Sequence, residues 1–407
     1  MTDTTVEPEI LGARGTVWEV FRVFLKLGTT SFGGPIAHLG YFRAEIVERR
    51  KWVDDQEYAD LVALCQFLPG PASIQVGFGL GLHRAGIRGA LAAFLAFTLP
   101  SAALMVAFAS GASWFTGPVG EGMLSGLTLV AVAIVAQAVL GMARTLTPDK
   151  RRASIAVVAA IAALLVAGSA GQIVAITLGA VAGILFCRDM IGGTDGALRF
   201  PVPRSVGIAS LVVFALLLFG GPLLVTLVSA PGLSLFEAFY QAGALVFGGG
   251  HVVLPLLQAG VVDPGWVTDQ QFLVGYGAAQ AVPGPLFTFA AYLGTISTTG
   301  PGGVLGALIA LAGIFLPGFL LLLGVLPFWN TLRTRGWAQA MMRGANAAVV
   351  GILAAALYTP MFTTAITGPG PFALALLCFV LLISWKLPPW VVVMIGAAGG
   401  ILLAPIT

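Results

Sequence analysis

The sequence predicts an all-α polytopic membrane protein made of two inverted-topology repeats, each interrupted by helix-breaking, re-entrant hairpins. Three observations carry that expectation. The 407-residue chain is 58% hydrophobic and only 9% charged, whereas soluble domains carry about 25% charged residues. Its apolar runs approach the ~20 residues that cross a bilayer core of roughly 30 Å as helix. The motifs of its first half also recur, in order, in its second half.

The recurrence is read directly from the residues. SFGGPIAH at Ser31 returns as VFGGGHVV at Val246, KWVDDQEY at Lys51 as GWVTDQQF at Gly265, and QFLPGP at Gln66 as QAVPGP at Gln280. Phe247 follows Phe32 by 215 residues, Pro283 follows Pro69 by 214, and Leu316-Pro317 follows Leu99-Pro100 by 217. Ordered matches at nearly one offset mark a duplication. The expected organisation is a polar N-terminal tail (1–14), a first repeat (15–190), a linker with a connecting helix (191–231) and a second repeat (232–407). The tail has no basic and apolar signal pattern, so no removable leader is expected.

Spanning helices are expected at about Gly89–Ser110, Gly122–Ala143, Ala153–Ala167 and Ile173–Phe186. Their counterparts are Gly303–Pro327, Ala338–Tyr358, Phe372–Ser384 and Trp390–Pro405, while Val206–Ser229 joins the halves and has no counterpart. Lys and Arg collect in cytoplasmic loops. In the first half they cluster at Arg43–Lys51, Arg84, Arg88 and Arg144–Arg152; the second half has none between Arg204 and Arg333. Loops that are basic in one repeat are neutral in the other, as opposite orientation requires. With basic residues before and after it, Tyr58–Leu82 reads as a re-entrant hairpin with its tip at Pro69-Gly70-Pro71, a single broken spanning helix being the alternative. Trp18–Phe42, bent at Gly33-Gly34-Pro35, reads as a second hairpin, and Tyr41–Tyr58 as an amphipathic helix at the interface.

Catalytic chemistry finds no support. There is no HExxH pair, CxxC, GxSxG or phosphate loop, and Cys65, Cys187 and Cys378 lie far apart in apolar sequence. No metal, cofactor or nucleic acid is expected. The PGP tips carry a different chemistry. Proline stops the helix before it and favours the first turn of the helix after it. A helix start exposes unpaired N–H groups and about half a positive charge, and such starts bind anions, including at the midplane of inverted-repeat transporters. Two PGP starts and two glycine-rich breaks give about +2 in all, a match to a dianion. The candidate substrate site is therefore Phe32, Gly33, Gly34, Pro35, Gln66, Pro69, Gly70, Pro71, Ala72, Ser73 and Gln75 in one half. In the other it is Phe247, Gly248, Gly249, Gly250, His251, Gln280, Pro283, Gly284 and Pro285.

Charges inside apolar segments are expensive and often functional. Arg22 and Lys26 lie one turn apart, and the repeat offset puts Glu237 at the Arg22 position. An Arg22–Glu237 ion pair across the pseudo-twofold axis is one expectation, leaving Lys26 to attract an anion; snorkelling of both cations to the interface is the other. Glu237, then His38 and His251, are the candidates for proton coupling. A homodimer is compatible with this size, though no residue specifies it.

LGTTSFGGPIAHLGYFRAEIVERRKW, YADLVALCQFLPGPASIQ and FTLPSA, with FGGGHVVLPLL and AVPGPLFTFAAYLG in the second half, resemble the chromate ion transporter family in its long, two-domain form. The resemblance covers nearly the whole chain. It implies a multi-pass plasma-membrane secondary transporter that exports chromate, a sulfate analogue, driven by the proton gradient or membrane potential. Uptake or exchange of sulfate or another inorganic anion, or an anion channel, are the alternatives. The family's motifs fall on Ser31 to Pro35, His38, Gly40 and Arg43, which adds Arg43 to the anion path, and on Gln66 to Gln75. Ile74 departs from the second serine that the resemblance implies.

Overall fold

The computed structural model describes residues 15–111, 117–166, 168–188, 200, 202–247, 250–332 and 335–403, and among these no strand occurs. The expected tail 1–14, residues 191–199 and 201 of the linker, Gly248 and Gly249 lie outside the described residues. In the first half the order is α1 (Val17–Thr30), α2 (Gly34–Phe42) continued by a π turn (Arg43–Arg49), α3 (Asp55–Phe67), α4 (Ala72–Gly111), α5 (Gly117–Leu146), α6 (Lys150–Leu165) and α7 (Gly168–Phe186). Local chemistry sets the starts. Thr16 caps α1 by accepting from the Glu19 amide, and Asp54 with Glu57 forms a reciprocal capping box on α3.

Side-chain contacts fold these elements into hairpins. Phe24 meets Phe42 with ring centroids 5.5 Å apart, Lys26 Nζ lies 3.0 Å from Glu45, and Arg50 lies 3.8 Å from Glu19. All three pairs are centred near Gly34, so α1 and the α2–π rod run antiparallel. The Tyr41–Lys51 stretch, helical through Arg49 with an exposed and a buried face, forms the returning limb of this hairpin; Phe42, Ile46 and Val47 are buried and hold it in the core. Leu61 and Gly79 stand equally far before and after Gly70 and are in contact, which makes α3 and the start of α4 a second hairpin tipped at the PGP motif. At Ala85 and Gly86 the α4 backbone leaves helical geometry. Gly81 and Gly89 then face each other so closely that a Cβ on Gly81 would sit 2.5 Å from the Gly89 carbonyl oxygen. The long helix is thus two antiparallel limbs, 72–84 and 87–111, joined by a tight corner.

The mouths of both hairpins gather at one level. Arg84 contacts Glu19 at 3.3 Å, Gly15 donates to the Arg84 carbonyl, and the guanidinium groups of Arg50 and Arg84 both lie over the Trp52 ring.

α8 (Arg204–Leu227) joins the halves, with Leu216, Phe219, Leu223 and Leu227 turned outward, a surface suited to lipid. The second half then runs α9 (Pro231–Leu245), a 3-10 turn (Gly250–Val252), α10 (Val253–Leu257), a π turn (Gln258–Val262), α11 (Asp269–Ala279), a 3-10 turn (Leu286–Thr288), α12 (Phe289–Ile296) and α13 (Gly303–Val325). It closes with α14 (Trp329–Leu332), α15 (Gly336–Ala356), a π turn (Leu357–Phe362), α16 (Thr363–Ala365), α17 (Pro369–Ile383) and α18 (Pro389–Leu403). Its corresponding contacts follow suit: Gly275 packs on Tyr292 across the second PGP tip, and Gly294 on Gly306.

Among the described residues five helices are long and apolar enough to cross a membrane, α8 and helices containing α4, α5, α13 and α15, with further shorter apolar helices beside them. The described spans fall where the apolar runs place them. The halves also exchange partners: α6 and α7 pack on α15, while α17 and α18 pack on α5.

Candidate functional site

The breaks meet at the centre. The amide of Gly70, at the first PGP tip, donates to the Val246 carbonyl at 2.7 Å; the amide of Gly284, at the second, donates to the Ser31 carbonyl at 2.9 Å. Each tip therefore docks on the glycine-rich break of the opposite half. Gly70 and Gly284 have φ of 123° and 100°, a region costly for any residue with a Cβ. Space closes the same positions: a Cβ on Gly70 would lie 3.2 Å from the Gly318 Cα, and one on Gly284 2.9 Å from Ser101 Oγ.

Gly318 and Ser101 follow the interior prolines Pro317 and Pro100, so each tip also rests beside the other half's Leu-Pro pair. Pro71 packs on Gly318, and Pro35 on Gly250, which brings the first break against the second. Gln75 braces this arrangement, its amide donating to the Pro69 and Gly318 carbonyls at 3.0 Å each. That spends the donors which the sequence reading assigned to an oxyanion.

Other polar groups line the centre. His38, fully buried, places Nδ1 3.5 Å from Ser73 Oγ and its ring edge-on to Phe97. His251 Nδ1 and the Tyr276 hydroxyl are 2.5 Å apart. Among buried side-chain atoms, Ser31 Oγ, His38 Nε2 and Thr98 Oγ1 have no protein partner, and each belongs to a group able to donate a hydrogen bond. Ala72 and Ser73 form the first turn after the tip, where amides lack an intrahelical partner. Gln66 and Gly33 are exposed and Phe32, Pro69, Phe247 and Pro283 partly so, giving the centre an accessible rim; Phe32 faces Trp390 at 6.4 Å.

The charged candidates lie elsewhere. Arg22 is exposed, while Glu237 packs against Gly221 of α8, its Cγ 3.3 Å from where a Cβ would sit; no ion pair joins them, which corrects the pairing expected from the repeat offset. Helices α1 and α9 pack on α4 and α13 of their own halves, so equivalence in sequence does not bring these side chains together. Lys26 binds Glu45, which also holds Arg49 and Arg50. Arg43 pairs with Glu48 and Asp55 at an exposed edge. Glu45 is pulled to about 2, for although burial opposes its charge, hydrogen bonds from Arg50, Lys26 and Arg49 outweigh it.

Sequence reasoning missed Ser101, Gly318 and Tyr276 as neighbours of the centre. The signal for the first two was present, since the Leu-Pro pair recurs at the repeat spacing; nothing local marks Tyr276.

Helices long and apolar enough to cross a bilayer, broken at a shared centre, define a polytopic membrane protein. The chromate transporter sequence profile matches residues 18–184 and again 233–401, and the chain belongs to that family. A chromate transport protein of Pseudomonas aeruginosa is 30% identical over 94% of this chain and 90% of its own length. A probable chromate transport protein of Synechococcus elongatus is 29% identical, over 94% and 95%. An uncharacterized transporter of Methanocaldococcus jannaschii is 28% identical, over 83% and 82%. No solved structure matches the chain.

Proposed function

We propose that this protein is a plasma-membrane secondary transporter of a tetrahedral divalent oxyanion, chromate or its analogue sulfate, carried outward by two inverted repeats. It is read as a transporter and not an enzyme. The observation that carries the reading is the crossed docking of the tips, Gly70 on Val246 and Gly284 on Ser31. Contacts exchanged in this way are those of two equivalent units about a twofold axis, and the double match of one family profile supports the same division.

Connectivity supports the inversion. From the basic mouth at Arg84 the chain crosses in 87–111, returns in α5 and leaves again in α6, whose end at Leu164 shares a cavity with Asp263 and Asp269 of the second half's hairpin mouth. The two sets of hairpins thus enter from opposite faces, and their tips meet between.

Binding follows from what the centre offers. The Gly70 and Gly284 amides are taken by carbonyls, so the oxyanion is met by the first-turn amides of Ala72 and Ser73, by the unpartnered donors of Ser31 and His38, and by the Gln280 amide beside them. Helix starts add positive potential without a charged side chain. Alternating access loosens one crossed bond while the other holds. A proton gradient drives the cycle, with His38 and His251 as the buried titratable groups nearest the tips. Proteins named for chromate transport aligned over nearly the whole chain support chromate as cargo.

The test is flux of labelled chromate and sulfate into inverted vesicles with and without a proton gradient. Gradient-dependent chromate accumulation that sulfate competes for is the expected result. Flux of another anion without chromate overturns the cargo, and unsaturable, purely voltage-driven current overturns the transporter in favour of a channel.

A further inference from the structure

Two cavities away from the tips share a wall. One, of about 370 Å³, runs along α6 and α7 and is lined by Ile155, Val158, Ala159, Leu178 and Phe186, with Arg151 at its end. The other, of about 430 Å³, is lined by Asp149, Lys150, Arg151, Arg152 and Arg343, beside Phe186 and Cys187. Arg151 and Phe186 belong to both, so a basic basin opens directly into an apolar trough. From Arg151 to Ala159 the trough follows two turns of helix, roughly 12 Å at ~1.5 Å per residue.

We propose that this compound site binds one anionic phospholipid, its phosphate in the basin on Lys150, Arg151 and Arg343 and an acyl chain along α6 and α7. Four cations and one carboxylate line the basin, and that carboxylate, Asp149, is committed to Arg152 at 2.5 Å. Arg151 and Arg343 are held in place by their bonds to the Phe186 and Cys187 carbonyls at 2.8 and 3.2 Å, which fixes their charges at the wall. A free phosphate or chromate satisfies the basin but has no use for the trough, whereas a lipid fills both. The level is also right. α6 starts where the basic loops gather, and the cytoplasmic leaflet is the anionic one.

The site is built from both halves of the chain, since Arg343 comes from α15 and the other cations from α6. A lipid held there bridges the two halves and stabilises their packing without touching the tips.

The experiment is native mass spectrometry of the full-length protein titrated with phosphatidylglycerol or phosphatidylcholine, with thermal melting of the same samples. The expected result is retention of one phosphatidylglycerol, a higher melting temperature with that lipid alone, and no displacement by millimolar inorganic phosphate. Lys150→Gln, which removes an exposed charge, and Val158→Trp, which fills the trough, each weaken retention, by roughly fivefold or more for the lost cation. Equal retention of both lipids, displacement by phosphate, or retention unchanged in both variants overturns the proposal. None of these readouts depends on transport, so they stand apart from the flux test.

Discussion

The Gly70 amide and the Val246 carbonyl, 176 positions apart in the chain, form a 2.7 Å hydrogen bond at the centre of the molecule. Its counterpart joins Gly284 to Ser31 at 2.9 Å. Two helix breaks that satisfy each other's backbone groups solve a problem special to membranes, where an unpaired amide or carbonyl has no water to turn to. The same bonds tie the position of each tip to the opposite half.

Substituting either tip glycine tests this arrangement. Gly70→Val and Gly284→Val force a Cβ into positive φ, a cost of about 1–3 kcal/mol, and into the Gly318 backbone or Ser101. Loss of chromate flux is expected, with membrane insertion retained on fluorescence-detected size exclusion. Wild-type flux in both variants sinks the central-tip site.

Topology is open to direct mapping. Reporter tags placed after Lys51 and after Gly265, at the mouths of corresponding hairpins, are expected on opposite sides of the membrane. Finding both on one side ends the inverted arrangement.

Arg22 and Glu237 are predicted to act independently. Because Arg22 is exposed and Glu237, on α9, packs against Gly221 of α8, the effects of Arg22→Glu and Glu237→Arg on melting temperature and flux add within experimental error, as separated sites do. Rescue in the double variant would show a pair formed in another state of the cycle.

Glu45 gives a pH prediction with a definite sign. Its carboxyl falls from an ordinary 4.5 to about 2 in the folded protein, so its contribution is complete above 4.5 and is lost as pH falls toward 2. Glu45→Gln is expected to lower the melting temperature at pH 7 by removing charge-assisted bonds worth about 1.5–3 kcal/mol each at most. The gap from wild type narrows as the pH is taken from 5 down toward 2.5, and a gap that stays constant contradicts the assignment.

Much of this fold is legible without coordinates. Membrane helices must satisfy every backbone group internally, so long apolar runs have one structural outcome, and the described parts of the expected spans, from Gly89–Ser110 to the one starting at Trp390, lie where helices occur. Proline and glycine are equally explicit about where a helix stops, which made both tips and the Gly33 break readable. Side-chain partnerships were less so. The amphipathic pattern of Tyr41–Lys51 suits a surface helix as well as a hairpin limb; burial of Phe42 and Ile46 against the rest of the core decided it.

The sequence by itself determined the class of protein, the places where its helices break and the pairing of motifs at a spacing of 214 to 217 residues, because hydropathy, proline and glycine act locally. Only the tertiary structure decided which break meets which, that Gln75 spends its amide on Pro69 and Gly318, that Lys26 belongs to Glu45, and that Glu237 packs against Gly221 while Arg22 is exposed. Those outcomes depend on how helices pack across the molecule, where distance along the chain carries no information about distance in space.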